Sequence, residues 1–298
     1  MLKTLFILSL CILCYSSDVC AGVVTPDDNK VVEVPFLLYE GCLVVQVKVK
    51  DKGPYNMVLA TGSPTSKIIY AVADEVKLQA YFTYAKGDPS LQTYVSFLNV
   101  PDMRIGELQV PTLMMNLVDL DAYSQSLGVK IYGVLGYDFL KGRILQIDYP
   151  HKIARFLPKT KAKQDQKVNG TANQSASVSV QIEIIPEDPV PIIYEVMIDG
   201  KKFKALLDTH QGVALSLTPA AIKQFGLPPS AEKAAPRMGS VGSIQIGSLK
   251  QDSPNTAFFG KGNGLDHGLN KYGAIIGAGF MAAYTVTFDY VHKVITFE

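Results

Sequence analysis

The sequence carries almost no net charge, +1 over 298 residues. That balance gives no electrostatic ground for a nucleic-acid or strongly acidic partner. It has no tryptophan and only four cysteines. Three of them, Cys11, Cys14 and Cys20, fall within the first 21 residues, so Cys42 stands alone in the rest of the chain and an internal disulfide is excluded there. Long apolar runs are also missing. The one near the start, Leu5 to Cys14, is too short to span a bilayer.

What is there begins with that run. Lys3 precedes it, and the polar stretch YSSDVCAG follows. This is the layout of a secretory signal peptide over residues 1–21, with Val19-Cys20-Ala21 as the small-residue cleavage site. The expected location is secreted or periplasmic. Asp18 and Val19 argue against a lipid anchor at Cys20, where small residues are wanted. With 48% apolar residues the remainder can bury a real core, and 24 glycines and 17 prolines supply many turns.

The character changes from Pro158 to Ser177, and a linker is expected over 158–179. PKTKAKQDQKVNGTANQSAS is rich in Lys, Gln, Asn and Ser and nearly free of large apolar side chains, which reads as a flexible linker. Asn169 and Asn173 begin Asn-x-Ser/Thr sequons within it. The flanking segments, 31–157 and 180–298, resemble each other. YGVLGYDFLKGRILQIDYPHKIARF aligns with YGAIIGAGFMAAYTVTFDYVHKVITF, so that Gly136 meets Gly277, Asp148 meets Asp289 and His151 meets His292. Upstream, RIGEL (104–108) matches QIGSL (245–249), and GPYNMVLAT (53–61) matches GKKFKALLDT (200–209). Three matches in the same order imply an internal duplication.

The local patterns are mostly strands. LVVQVKVK (43–50) alternates, and ILQIDYPHKIARF and YTVTFDYVHKVITF each read as a hairpin. Short helices are expected at Ser66–Val76, Tyr137–Lys141 and Pro219–Gln224. Many short strands divided by Gly and Pro predict an all-β protein, each half a barrel or sandwich, the two forming a pseudo-symmetric pair with a groove between them.

Each half resembles a lobe of the pepsin/retropepsin-like aspartic peptidases. That family's motif is two apolar residues, then Asp-Thr-Gly, and farther on two apolar residues and Gly. The first half offers Val58-Leu59-Ala60-Thr61-Gly62-Ser63 and Val134-Leu135-Gly136. The second offers Leu206-Leu207-Asp208-Thr209-His210 and Ile275-Ile276-Gly277. The resemblance implies two six-stranded acid-protease lobes, an interlobe cleft, a peptide or protein segment as the occupant, no cofactor and no metal. It also implies that Thr61 and Thr209 tie the two turns together and that the two apolar-apolar-Gly segments brace them. Because one chain supplies both lobes, a monomer is expected.

The chemistry of that family needs two carboxylates about 3 Å apart, sharing one proton and polarising a water. This sequence departs from the pattern twice. Ala60 puts a methyl where the first carboxylate belongs, and His210 replaces the glycine of the second turn. Without a like-charged partner, an exposed Asp208 is expected to titrate near an ordinary Asp, about 3.9. Losing one member of a catalytic unit commonly costs on the order of 10⁴ to 10⁶ in rate. A catalytically degenerate peptide-binding protein is therefore expected. The alternatives are an endopeptidase in which Asp208 pairs with another acid (Asp88, Asp119 or Asp121) or with a second chain, and a structural envelope or secreted protein whose groove is filled.

Other groups have plainer readings. His151 and His292 sit at the same hairpin turn in both halves and read as turn residues. His267 lies in a Gly-rich loop, and its spacing from Asp208 and His210 matches no ligand motif. Ser63 and Ser66 have no visible base. Cys42 reads as a buried thiol. Thr83–Tyr94 reads as a hairpin, either on the surface or folded over the groove. GSVGSIQIG (239–247) lacks the lysine and the strand-to-helix context of a phosphate loop.

Overall fold

A computed structural model describes residues 30–85, 94–159, 177–227, 236–260 and 272–298. The expected signal peptide, both sequons, His267, Asp88 and residues 86–93 of the expected 83–94 hairpin lie outside the described residues.

The first half begins with β1 (Val32–Tyr39), β2 (Cys42–Val49), β3 (Lys52–Leu59) and β4 (Lys67–Ile69). Helix α1 (Tyr70–Glu75), β5 (Ala80–Ala85), β6 (Tyr94–Ile105) and β7 (Leu108–Val118) follow. Helix α2 (Asp121–Leu127), β8 (Gly133–Leu135), α3 (Tyr137–Leu140), β9 (Ile144–Asp148) and β10 (Ile153–Leu157) complete it. The second half starts with β11 (Val178–Gln181), β12 (Glu183–Ile185), β13 (Asp188–Ile198), β14 (Lys201–Asp208) and β15 (Leu215–Leu217). After α4 (Pro219–Gln224) come β16 (Arg237–Ser240), β17 (Ser243–Ile246), β18 (Leu249–Asp252) and β19 (Asn255–Phe258). It closes with β20 (Ala274–Gly277), α5 (Ala278–Met281), β21 (Thr285–Asp289) and β22 (Val294–Phe297).

The duplication is visible in the pairing. In the first half β3 runs parallel to β8, with Leu59 beside Leu135; in the second β14 runs parallel to β20, with Asp208 beside Gly277. The RIGEL and QIGSL segments form equivalent hairpin turns, Ile105 opposite Leu108 and Ile246 opposite Leu249. The two halves share one antiparallel sheet in the order β11-β22-β21-β9-β10-β1. At its centre Gln146 of β9 faces Thr287 of β21, and the Gln146 amide donates to the Thr287 hydroxyl at 3.3 Å.

That sheet explains the repeated Asp-x-x-His pairs. Asp148 accepts from the backbone N–H of His151 at 3.2 Å, and Asp289 from that of His292 at 2.8 Å. Each imidazole Nδ1 returns to the same carboxylate, at 2.8 and 2.7 Å. Both histidines close hairpin turns, as their repetition predicts. Among the described residues no group of three or more His, Cys, Asp or Glu is arranged to hold a metal ion.

Three sequence expectations need correction. The helix expected at 66–76 begins only at Tyr70, because Ile68 and Ile69 are claimed by parallel pairing with Leu117 and Val118. β-branched side chains suit that pleated surface better than a helix. Helices α2 and α5 were not anticipated; α2 ends on Gly128 in the left-handed region, φ 66°. The linker expected over 158–179 ends sooner, because Val178 and Ser179 already belong to β11 and pair with Phe297 and Thr296.

The core is apolar and continuous through both halves, and the fully buried Phe139, Phe280, Phe288 and Phe297 are among its largest side chains. Beneath each turn strand lies a smaller satellite cluster. The first contains Cys42, Val44, Val58, Ala60, Leu127, Ile131 and Val134; the second contains Val190, Ile192, Leu206, Tyr272 and Ile275.

Candidate functional site

Strands β3 and β14 deliver their turns to one place. Thr61 and Thr209 are fully buried and bind each other's turns reciprocally. The Thr61 hydroxyl donates to the Leu207 carbonyl at 2.9 Å, and the Thr209 hydroxyl to the Leu59 carbonyl at 2.5 Å. Each backbone N–H donates to the other threonine's Oγ1, both at 3.1 Å. Four buried hydrogen bonds across a pseudo-dyad satisfy the Thr61 and Thr209 N–H groups and the Leu59 and Leu207 carbonyls, so the two loops are locked in register.

The apolar-apolar-Gly segments brace the turns from behind. The Ala60 N–H donates to the Leu135 carbonyl at 2.9 Å, and Gly277 N–H donates to the Ala214 carbonyl at 3.1 Å. A Cβ on Gly136 would lie 2.6 Å from the Ser63 carbonyl oxygen, and one on Gly277 would lie 2.1 Å from that of Val213. No side chain fits either passage. Ser66 stitches this layer together: its hydroxyl bonds the Asp138 carboxylate and accepts from the Gly136 N–H at 3.0 Å.

The two halves then diverge. Asp208 is 2% exposed, and its carboxylate is filled by its own surroundings. Oδ1 accepts from the backbone N–H groups of Gly62 and His210, both at 3.1 Å. Oδ2 is paired with the Nδ1 of His210. The ordinary titration expected of an exposed Asp208 is therefore wrong on its premise. Burial alone would raise this carboxyl, but the His210 charge, its hydrogen bond and the two amides outweigh that and hold it below the usual range. Burial likewise pulls His210 down, while the Asp208 carboxylate lifts it further, so the imidazole is held above its ordinary value. The imidazole is thus folded onto the acid rather than altering the turn.

Gly62 is forced by this packing, since a Cβ there would lie 2.3 Å from Asp208 Oδ2. Ala60, across the pseudo-dyad, is 1% exposed and rests in the satellite cluster with Val58 and Val134. Among the other acids weighed as partners, Asp119 accepts from the Asp121 N–H at 2.7 Å, and Asp121 pairs with the exposed Lys130.

Further groups surround His210. The buried Cys42 thiol donates to the His210 carbonyl at 2.9 Å, and the Tyr123 hydroxyl lies 3.6 Å from that sulfur. The Tyr123 ring stands edge-on to the imidazole, centroids 6.4 Å apart. Burial pushes the Cys42 thiol up, as expected of a core cysteine. Sequence reasoning missed Tyr123, because it rides on the unanticipated α2. It also missed Lys67, whose ammonium donates to the Ser63 hydroxyl at 2.6 Å and to the Thr65 carbonyl at 3.3 Å. A lysine four residues after a serine was the available signal. The Ser63 hydroxyl donates onward to the Thr65 carbonyl at 2.9 Å, so its proton is directed away from Lys67.

Beside the turns lies a cavity of about 310 Å³ lined by Val58, Ala60, Gly62, Ser63, Pro64, Lys67, Leu120, Tyr123, Val134 and His210. The hairpin expected at 83–94 is present as β5 and β6, with Ala85 opposite Tyr94.

No family model matches the chain, and no curated protein matches it by sequence. Among solved structures it is similar to the aspartic proteinase from Irpex lacteus at 12% identity and a TM-score of 0.54, covering 90% of this chain and 97% of that one. At that identity the likeness establishes the fold: the chain has the all-β, two-lobed architecture of a pepsin-like proteinase.

Proposed function

We propose that this chain is an exported protein of the pepsin-like fold that binds peptide segments in its interlobe cleft without hydrolysing them by the two-carboxylate route. The observation that carries the reading is the state of the lone acid. Peptide hydrolysis in this fold needs a carboxylate oxygen free to hold a water and a second carboxyl to share the proton. Asp208 spends one oxygen on two backbone amides and the other on His210. Opposite it, the Ala60 methyl can neither hold a water nor carry a proton. The turns nevertheless keep their full set of reciprocal threonine bonds. Rigid turns with a disarmed centre fit a retained binding groove better than a retained reaction.

Export rests on the leader-like residues 1–21. The test is direct. The protein lacking residues 1–21 is incubated with an unfolded protein at pH 3–6, and fragments are sought by mass spectrometry. The expected outcome is binding without cleavage. Cleavage that a transition-state analogue of aspartic peptidases blocks, and that Asp208→Asn abolishes, would refute the reading in favour of a working endopeptidase.

A further inference from the structure

The cavity beside the turns is unusual in the sign of its charges. Among the described residues ten line it, and none of these is a carboxylate. The charged groups among them are Lys67 and His210; Pro64, Leu120 and Tyr123 supply partly exposed apolar surface above the buried Val58, Ala60 and Val134. In the two-carboxylate arrangement this is the position of the first acid. Here the acids stand behind the lining with their oxygens taken. Asp208 is held by Gly62 and His210, and Asp138 by the Ser66 N–H at 2.8 and 2.9 Å and the Phe139 N–H at 2.8 Å.

Both cations are fixed before any ligand arrives. Lys67 is half-buried, and its ammonium donates to Ser63 and Thr65, which leaves one of its three N–H groups uncommitted. His210 is oriented by Asp208 at Nδ1, by the edge-on Tyr123 ring and by the Gln211 side-chain amide, 3.3 Å from Nε2, which an anion at Nε2 would have to displace. A preorganised ammonium in a partly desolvated pocket binds an anion more strongly than a mobile surface lysine does. An apolar wall directly beside it asks for a ligand with an anionic head on an apolar body. The volume, about 310 Å³, is at the small end of the range for ligand sites, which suits one residue rather than an extended molecule.

We propose that this cavity receives the C-terminal carboxylate of a peptide whose last residue is apolar, with Lys67 as the principal anion contact, His210 as the second and the partly exposed Pro64, Leu120 and Tyr123 holding the side chain. This inference rests on the peptide-binding reading of the cleft and adds the chain end as what is recognised.

The test uses calorimetric titration of the protein lacking residues 1–21 with acetyl-Ala-Ala-Phe as free acid, the same peptide as C-terminal amide, and 3-phenylpropanoate. The expected result is an acid that binds at least about tenfold more tightly than the amide, as one charge-assisted hydrogen bond allows. Lys67→Met should erase that preference without weakening the amide, while Lys67→Arg should keep part of it. Ala60→Asp, which places a like charge in the pocket, should also erase it. Melting curves confirm that each variant is folded. Equal binding of acid and amide by the wild type overturns the anion pocket and leaves the cleft reading intact. Binding of 3-phenylpropanoate alone, sensitive to Lys67, supports the anion pocket and overturns the peptide as its occupant. Binding of none of the three overturns the inference altogether.

Discussion

Removing the imidazole of His210 is the sharpest perturbation of the centre. In His210→Ala the carboxylate of Asp208 keeps its two backbone donors but loses the group paired with Oδ2. Hydrogen bonds to charged groups are worth about 1.5–3 kcal/mol. Because the imidazole is 35% exposed, solvent screens part of its attraction. The lower half of that range, about 2 kcal/mol, is the expected loss, or roughly 4–8 °C of melting temperature for a chain of this size. The pH dependence carries the diagnostic information. Asp208 is held below its ordinary value, so its contribution is fully present above about pH 3.9 and fades as pH falls through the folded value. His210 is held above its ordinary value, so its contribution is fully present below about pH 6.5 and fades as pH rises through the folded value. The gap between wild type and variant should therefore be widest from about pH 4 to 6.5 and narrow on both sides. The other ionisable groups near the pair are Lys67, Cys42, Tyr123, Tyr149 and Tyr290. Burial raises the thiol and the three phenols away from this window. Burial lowers Lys67, and its charge in turn works against the charged imidazole, which trims the gap without moving its window. The assay is thermal unfolding of both proteins from pH 3 to 8. A gap that is flat across this range, or absent at pH 5, would refute the claim that the pair is a charged, stabilising contact.

Two further outcomes follow from the same geometry. Ala60→Asp alone should not restore proteolysis, because Oδ2 of Asp208 stays occupied, whereas Ala60→Asp combined with His210→Gly should give acid-dependent cleavage of an unfolded substrate at least about tenfold above wild type; a double variant no better than wild type would show that more than these two sites was lost. Thr209→Val removes the donor to the Leu59 carbonyl and the acceptor of the Thr61 N–H, leaving buried polar groups unpaired, and should cost about 2–4 kcal/mol in urea unfolding; a loss under about 0.5 kcal/mol would mean the turns are held by packing alone.

Much of this architecture could be read in the sequence because it was written twice. The repeated Asp148/His151 and Asp289/His292 pairs located the two hairpins, and the paired glycines 136 and 277 located the strands behind the turns. Ala60 and Asp208 could be matched by position alone, since the threonine after each is bound to the other half. What could not be read depends on side-chain direction. Nothing in Asp-Thr-His says that the imidazole bends back onto the acid two residues before it. Nothing in Lys67 says that it leaves the strand face to reach Ser63. Tyr123 and Cys42 come from distant segments, α2 and β2, and meet at the His210 carbonyl and ring only once the lobe has closed. The early part of the helix expected at 66–76 was lost to a long-range competitor, the parallel edge of β7.

The central pairing of β9 with β21 also sets a schedule for synthesis. A ribosome emits Ile144–Asp148 long before Thr285–Asp289, and until then β9 has only β10 beside it. The early product carries an open strand edge, a template for pairing with other nascent chains. Only the late-made partner can seal that edge, so a truncated translation product ending before residue 285 should be lost to aggregation or proteases rather than persist as a stable half.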